Sequence, residues 1–569
     1  MFSILKQFSK YPRNWKFLST NVRYFSRTIT GDRLQPLNED TLTGRFLLYL
    51  DNNKACKDVS NKDRATLIAK LKLQPAHIKT FDAGLVMSVL SCLTKRTIVS
   101  NKYDFNKLLR IIDLECCSRL DKLKTDDVIS HLCCFMNVIP HQITQCQYFH
   151  MALDKLMDKQ YELMKEQLIQ LIFFIGFLKK TSKAQSMLKK CLKSFKNDLI
   201  NSLTKEDLCI ICNSTFKTST KIRNHVLLDK IKLYINDNLL LLNDPAIFVT
   251  LIKTLRHNRY QDDDILNTIT CTVFFNKTIQ YYSFGALCHI LALYADYLYY
   301  NEDILKSFTN KCLEILKNST FTTKDAYLKE QPRTKDIKRL LWALSNLNYK
   351  LSKEDIEGIV MPEISIRIEA GEFKNDPGSM VQIIMYLWMM RYKAYDLIHQ
   401  FLNKEVVSLI RAKNMPCQDS LNLLLTCIYY EDPELYQQIN IQPENRRNYN
   451  SKIQLNKRPE LTKILNKLKV ISAGNDIDKF EIDCQVPYIN IIGIIGFQKK
   501  IYKTVNIELL DQYTCLKNTE NLPTGLMDLK LRILEKNSEG LVVIEEPDIA
   551  DCSDTELHQV LEDEISLVC

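Results

Sequence analysis

The chain is 569 residues long and 46% hydrophobic, so it can bury a large core as several domains or one extended array. It holds only 13 Gly and contains no GxxxxGK[ST] or GxGxxG run and no HRD or DFG. That excludes P-loop and dinucleotide folds and protein-kinase catalysis, and no nucleotide cofactor is expected. The net charge of +10 is uneven: from Asn537 onward there are ten Asp or Glu and no Lys or Arg, which leaves about +20 on residues 1–536, a balance suited to polyanions.

Residues 1–30 carry Lys6, Lys10, Arg13, Lys16, Arg23 and Arg27, with no acidic residue before Asp32, and aromatic, aliphatic and Ser residues lie between them. An Arg-rich, acid-free amphipathic start predicts a mitochondrial transit peptide over 1–25 and a matrix location, with Arg23 three residues before a cut that leaves Ser26 first. Residues 26–75 read as a linker and a leading helix. No apolar run approaches the roughly 20 residues of a membrane span, so none is expected. Nineteen scattered Cys suit a reducing compartment.

Similar units then begin near Phe81, Thr125, Met164, Thr204, Asp244, Ser283, Thr334, Asp376 and Pro416, at intervals of 44, 39, 40, 40, 39, 51, 42 and 40 residues. Many open on a residue able to cap a helix, such as Thr204, Asp244 or Thr334, and continue with apolar residues at helical spacing. A two-helix unit of about 40 residues cannot bury its apolar face alone. The spacing therefore predicts a mostly α chain: an α-solenoid of about nine two-helix repeats over 76–470, with an inserted loop between Asn318 and Lys335.

Basic residues recur at the turns: Lys95 and Arg96; Lys179, Lys180 and Lys183; Lys217, Lys221 and Arg223; Arg256 and Arg259; Arg391 and Lys393. In stacked repeats such positions share an edge, and a stripe there would follow a phosphate backbone; ordinary solvated turns are the alternative. The candidate RNA contacts are Lys179, Lys180, Lys221, Arg223, Arg256, Arg259, Arg391 and Lys393. Tyr260, Tyr349 and Tyr392 stand beside such turns as stacking platforms or core anchors. Cys209 and Cys212 with His225 imitate half a zinc finger, but the second His is missing and the pair lies in an apolar helical run, so core packing is expected. No metal-ligand cluster is formed by the nine His, and His131 has no third ligand in register.

Residues 471–569 change character. KFEIDCQVPYINIIGIIGF and KTVNIELLD read as strands, LMDLKLRILEK as an amphipathic helix, LVVIEE as a closing strand, followed by the acidic tail. Helical units such as Arg339–Tyr349, together with Leu529-Lys530-Leu-Arg532, then Leu534, then Leu541–Ile544, resemble the FAST kinase domain-containing family of mitochondrial RNA-binding proteins, with a terminal RAP domain. The resemblance implies a small α/β domain of the PD-(D/E)XK nuclease-like kind and a role in processing, stability or translation of mitochondrial transcripts, alongside other mitochondrial RNA-processing proteins. It adds Lys530 and Arg532 to the RNA contacts. It also implies a nuclease alternative in which Asp483, Glu508 and Lys530 are catalytic and hold a divalent metal; otherwise no cofactor is expected. The turn Gly and His that accompany this acidic strand in the family are replaced here by Leu509-Leu510-Asp511-Gln512. A protein-interaction scaffold is the remaining reading.

Overall fold

A computed structural model describes residues 41–50, 61–93, 102–237, 244–276, 278–319, 332–412, 417–444, 451–471, 477–498, 504–538 and 540–568. The transit segment 1–25, Lys95 and Arg96, and most of the expected inserted loop lie outside them. The chain is mostly helical, with a small four-stranded sheet near its C-terminus, and divides into two compact units, 1–154 and 155–569.

Each expected unit start coincides with a helix start to within two residues. The helices are α1 (Ala83–Cys92), α2 (Thr125–Val138), α3 (Lys165–Ile175), α4 (Lys205–Thr218), α5 (Pro245–Asn258), α6 (Phe284–Tyr297), α7 (Thr334–Asn346), α8 (Pro377–Met389) and α9 (Gln418–Glu431). Local chemistry sets these starts. The side chains of Asp82, Thr204, Asp244 and Ser283 each accept from the backbone N–H three residues on, and Thr204 with Asp207 forms a full capping box. Each such cap contributes about 1 kcal/mol. Thr334 differs from expectation: Arg333 occupies the cap position, and the Thr334 hydroxyl instead donates to Glu372.

In the first unit, α1 packs on α2. In the second, α3 packs on α4, α4 on α5, and so on in order to α9. The faces they share are fully buried, with Leu208, Cys209, Ile211 and Cys212 among them, so the CIIC run is core. His131 is buried in the first unit with Nδ1 3.3 Å from the Tyr148 hydroxyl.

The ends of these helices repeat as closely as their starts. After α4, α5, α6, α7 and α8 the chain enters the left-handed region at Ser219, Arg259, Leu298, Asn348 and Arg391, with φ of 55°, 55°, 52°, 50° and 68°. The next residue's N–H then bonds back five residues: Thr220 to Thr215, Tyr260 to Leu255, Tyr299 to Tyr294, Tyr349 to Leu344 and Tyr392 to Leu387, at 2.9–3.1 Å. This is the Schellman closure, for which Gly is the usual residue. A chain poor in Gly makes it five times running without one.

The sheet has order β1 (Ile477–Asp483), β2 (Gly493–Gln498), β3 (Thr504–Leu510), β4 (Gly540–Glu545). The first two pairings are antiparallel and β3–β4 is parallel, joined by helix α11 (Gly525–Asn537). One face, carrying Phe480, Ile494, Val505, Ile507, Leu509, Val542 and Ile544, packs against α10 (Pro459–Ile471) and α12 (Asp554–Val568). The other face meets α11 through Leu510 and Met527.

Candidate nucleic-acid interface

Helix α11 has two working faces because residues two apart on a helix point about 200° from each other. Lys530 turns inward: its Nζ donates to Glu508 Oε1 at 2.5 Å and to the Ile491 carbonyl at 3.0 Å, and both side chains are wholly buried. Glu508 occupies the space that a side chain at Gly493 would need. Burial raises the Glu508 carboxyl, against the pull of Lys530, and burial lowers the Lys530 ammonium, against the pull of Glu508. A second buried pair lies in the same module: Arg458 Nε donates to Asp511 at 2.5 Å, and its other nitrogens donate to the carbonyls of Ile492 and Leu509.

Arg532 turns outward. It donates through Nε to Glu431 Oε1 at 2.5 Å and through a terminal nitrogen to the Trp388 carbonyl at 3.2 Å, while Trp388 Nε1 donates to Glu431 Oε2 at 2.5 Å. One turn earlier Asp528 meets Arg391 at 3.2 Å and Lys350 at 3.9 Å. One turn later Lys536 donates to the Glu431 carbonyl. Two positions in the run that carried the family resemblance, Lys530 and Arg532, thus join the sheet to α11 and α11 to the helical array.

The expected trio comes together only in part. Asp483, Glu508 and Lys530 share the α11 side of the sheet, with Asp483 paired across from Gly493. Asp483 is exposed at the strand end, however, whereas Glu508 and Lys530 are sealed against each other. With Glu508 Oε1 held by an ammonium at 2.5 Å, these residues do not fit a divalent ion, and among the described residues no group of three His, Cys, Asp or Glu is placed to hold one. Lys530 is also out of reach of RNA, and Arg532 is taken up by Glu431.

The basic turns divide into two sets. The module lies along the C-terminal ends of α6, α7 and α8. The Lys517 N–H donates to the Leu298 carbonyl and the Tyr300 N–H to the Lys517 carbonyl, Asn348 donates to Pro523, and Arg391 pairs with Asp528. Lys393 is held by Asp432 at 2.8 Å. Among the described residues the ends of α3, α4 and α5 lack such cover. Lys179, Lys180, Lys221, Arg223 and Arg259 are exposed there, and none has a carboxylate within 4 Å among the described residues. Arg256 is half-buried and pairs with Asp296 at 2.5 Å.

Beside this open edge the turn cations Lys217 and Arg256, together with Lys253, which the pattern of turn charges did not include, lie over aromatic rings. Lys217 Nζ is 5.1 Å from the Phe177 ring centre, Lys253 Nζ 5.9 Å from Phe216, and the Arg256 guanidinium 5.9 Å from Trp342. Burial, then Lys179, pulls the Lys217 ammonium down to about 8, and burial, then Arg339 and Arg333, does the same to Lys253. His289, on α6 between the helices that carry Arg256 and Trp342, is held far below the usual histidine range by burial and by Lys253, Arg339, Arg256 and Arg333. The signal for these residues was the i+4 and i+3 spacing of Lys217, Lys221 and of Lys253, Arg256 near helix ends.

Of the turn tyrosines singled out, Tyr260 is an anchor, as is Tyr299 at the matching turn after α6, while Tyr349 and Tyr392 are half-buried. Tyr260 donates to Asp229 at 2.6 Å and Tyr299 to Asn267 at 3.0 Å, each reaching the helix that precedes its own. Comparison of the chain with protein-family models and with curated proteins finds no match to either.

Proposed function

We propose that this protein is an RNA-binding protein of the mitochondrial matrix, acting in the processing, stability or translation of mitochondrial transcripts. In this reading the helices form an α-solenoid whose basic edge holds single-stranded RNA, and the terminal module closes one end of that edge. The observation that carries it is the run of exposed Lys179, Lys180, Lys221, Arg223 and Arg259 at the ends of α3, α4 and α5, with no carboxylate paired to them among the described residues. The helix ends recurring every 39–50 residues support the solenoid, and the acid-free N-terminal sequence supports the compartment.

Phosphate contacts would supply most of the affinity. With about six Lys or Arg engaged, log affinity for a single strand falls against log salt with a slope of roughly −4. Crosslinking in intact mitochondria, followed by sequencing of recovered RNA, tests the reading directly: recovery of organelle transcripts is expected, and recovery of protein partners without RNA would replace it with a scaffold.

A further inference from the structure

Resting on the RNA-binding reading, we propose that the open half of the edge, with the Trp342 ring of α7 beside it, is a set of stacking rungs selective for single-stranded RNA, with bases on Phe177, Phe216 and Trp342 and phosphates on Lys217 and Lys253. Three features lead there. First, the cation–aromatic pairs recur on neighbouring helices: Lys217 of α4 reaches back over Phe177 at the end of α3, and Lys253 of α5 reaches back over Phe216 of α4. Arg256 of α5 meets Trp342 of α7 across α6.

Second, Phe216 is 41% exposed, and Phe177 and Trp342 are half-buried, in helices whose other large apolar side chains are almost all enclosed. Each ring already carries a cation at one side, a mildly favourable contact, and the part still open to water gains further when a flat partner stacks on it. Third, the cations face other cations. Lys217 lies near Lys179, and Lys253 near Arg339 and Arg333, with no carboxylate within 4 Å of Lys217 or Lys253 among the described residues. Asp336 and Asp296 are already engaged by Arg333 and Arg339 and by Arg256. Among the described residues Lys217 and Lys253 have no paired carboxylate and the rings no stacked plane, and an unpaired nucleotide brings both an anion and a plane. A duplex brings only phosphates, because its base faces are stacked inside.

The test is fluorescence anisotropy on the full chain with a labelled 20-nucleotide RNA of about neutral base composition, as single strand and as duplex. The single strand is expected to bind at least about ten-fold tighter. Phe216→Leu and Trp342→Leu should each weaken it about five- to ten-fold while leaving duplex binding unchanged. Lys217→Gln and Lys253→Gln should weaken both. Tyr161→Leu, a ring 80% exposed ahead of α3, should change neither. Phe216 is exposed enough for Leu to leave the fold intact, and thermal melting verifies this for each variant. Equal affinity for the two RNA forms, or unaltered single-strand binding by Phe216→Leu, overturns the rungs and leaves RNA binding standing. Failure to bind either form at low salt overturns both.

Discussion

Arg532 and Glu431 lie 101 residues apart and form the clasp between α11 and α9, with Arg532 Nε 2.5 Å from Glu431 Oε1 and Trp388 Nε1 holding the other carboxylate oxygen. The clasp is mostly buried, with side-chain exposures of 16% and 10%, so its loss is felt more than that of a surface pair. Arg532→Ala leaves Glu431 enclosed with two donors fewer, Nε to Oε1 and a terminal nitrogen to Oε2, with Trp388 Nε1 remaining. We expect α11 to loosen from the array at a cost of about 2 kcal/mol. Hydrogen exchange reads this out: amides of α11 and β4 should exchange faster, with α4 and α5 unchanged. Protection equal to the unaltered chain would show that the clasp does not hold the module.

The Lys530–Glu508 pair should behave as a structural unit. Removing one partner strands a buried charge, at about 3–5 kcal/mol, whereas replacing both with apolar groups of similar size is close to neutral. Lys530→Met is therefore expected to lower the denaturation midpoint sharply, and Lys530→Met with Glu508→Leu to recover most of the loss. Additive losses in the double variant would contradict a coupled pair. RNA affinity of the double variant should match the unaltered chain, since neither group reaches solvent.

Two glycines separate close approach from idle space. A side chain at Gly525, where α11 begins, would run into the Ser345 carbonyl at the end of α7; at Gly358 nothing lies within 4 Å. Gly525→Ala should destabilise by about 1–3 kcal/mol through forced separation of the two helices. Gly358→Ala should be neutral or stabilise by about 0.5 kcal/mol through the lower entropy of the unfolded chain. Denaturant titration of the two variants compares them, and equal effects would mean that α11 does not sit directly on α7.

RNA affinity should depend on pH at an unusual place. Lys217 and Lys253 have their ammonium groups pulled down to about 8, from 10.5, by burial first and neighbouring cations second. A bound phosphate raises them again. Above about pH 8 the free protein has therefore lost protons that the complex retains, so binding takes up protons and affinity falls between pH 7.5 and 9.5. The same lowering means that these lysines cost stability below pH 8, a cost relieved as pH rises toward 10.5. Calorimetry at pH 8.5 in two buffers of different ionisation enthalpy should show proton uptake, and Lys217→Gln should reduce it. Affinity flat from pH 7 to 9.5 would remove both lysines from the contact.

Much of the helical array was legible in the chain itself. Helix starts are written within four residues, by a capping side chain and the first apolar turn, and so Thr204, Asp244 and Ser283 marked α4, α5 and α6 closely. The strands and α11 were equally local, through β-branched runs and a 3.6-residue period. Helix ends were harder, because Arg259, Leu298 and Arg391 adopt a left-handed turn that their residue types do not advertise.

The roles of the charged residues belonged to tertiary structure. In sequence, Arg391 and Arg259 are the same signal, a basic turn after an apolar helix. The fold lays Asp528 against the first and leaves the second open. Lys530 and Arg532 stand two apart in one short run, yet one is sealed on Glu508 and the other clasps Glu431. A charge's function depends on what the chain brings to it from 22 or 101 residues away. Local sequence governs where helices begin, since caps and periodicity act within one turn; which charges remain open to a ligand is decided only when distant elements pack and neutralise the rest.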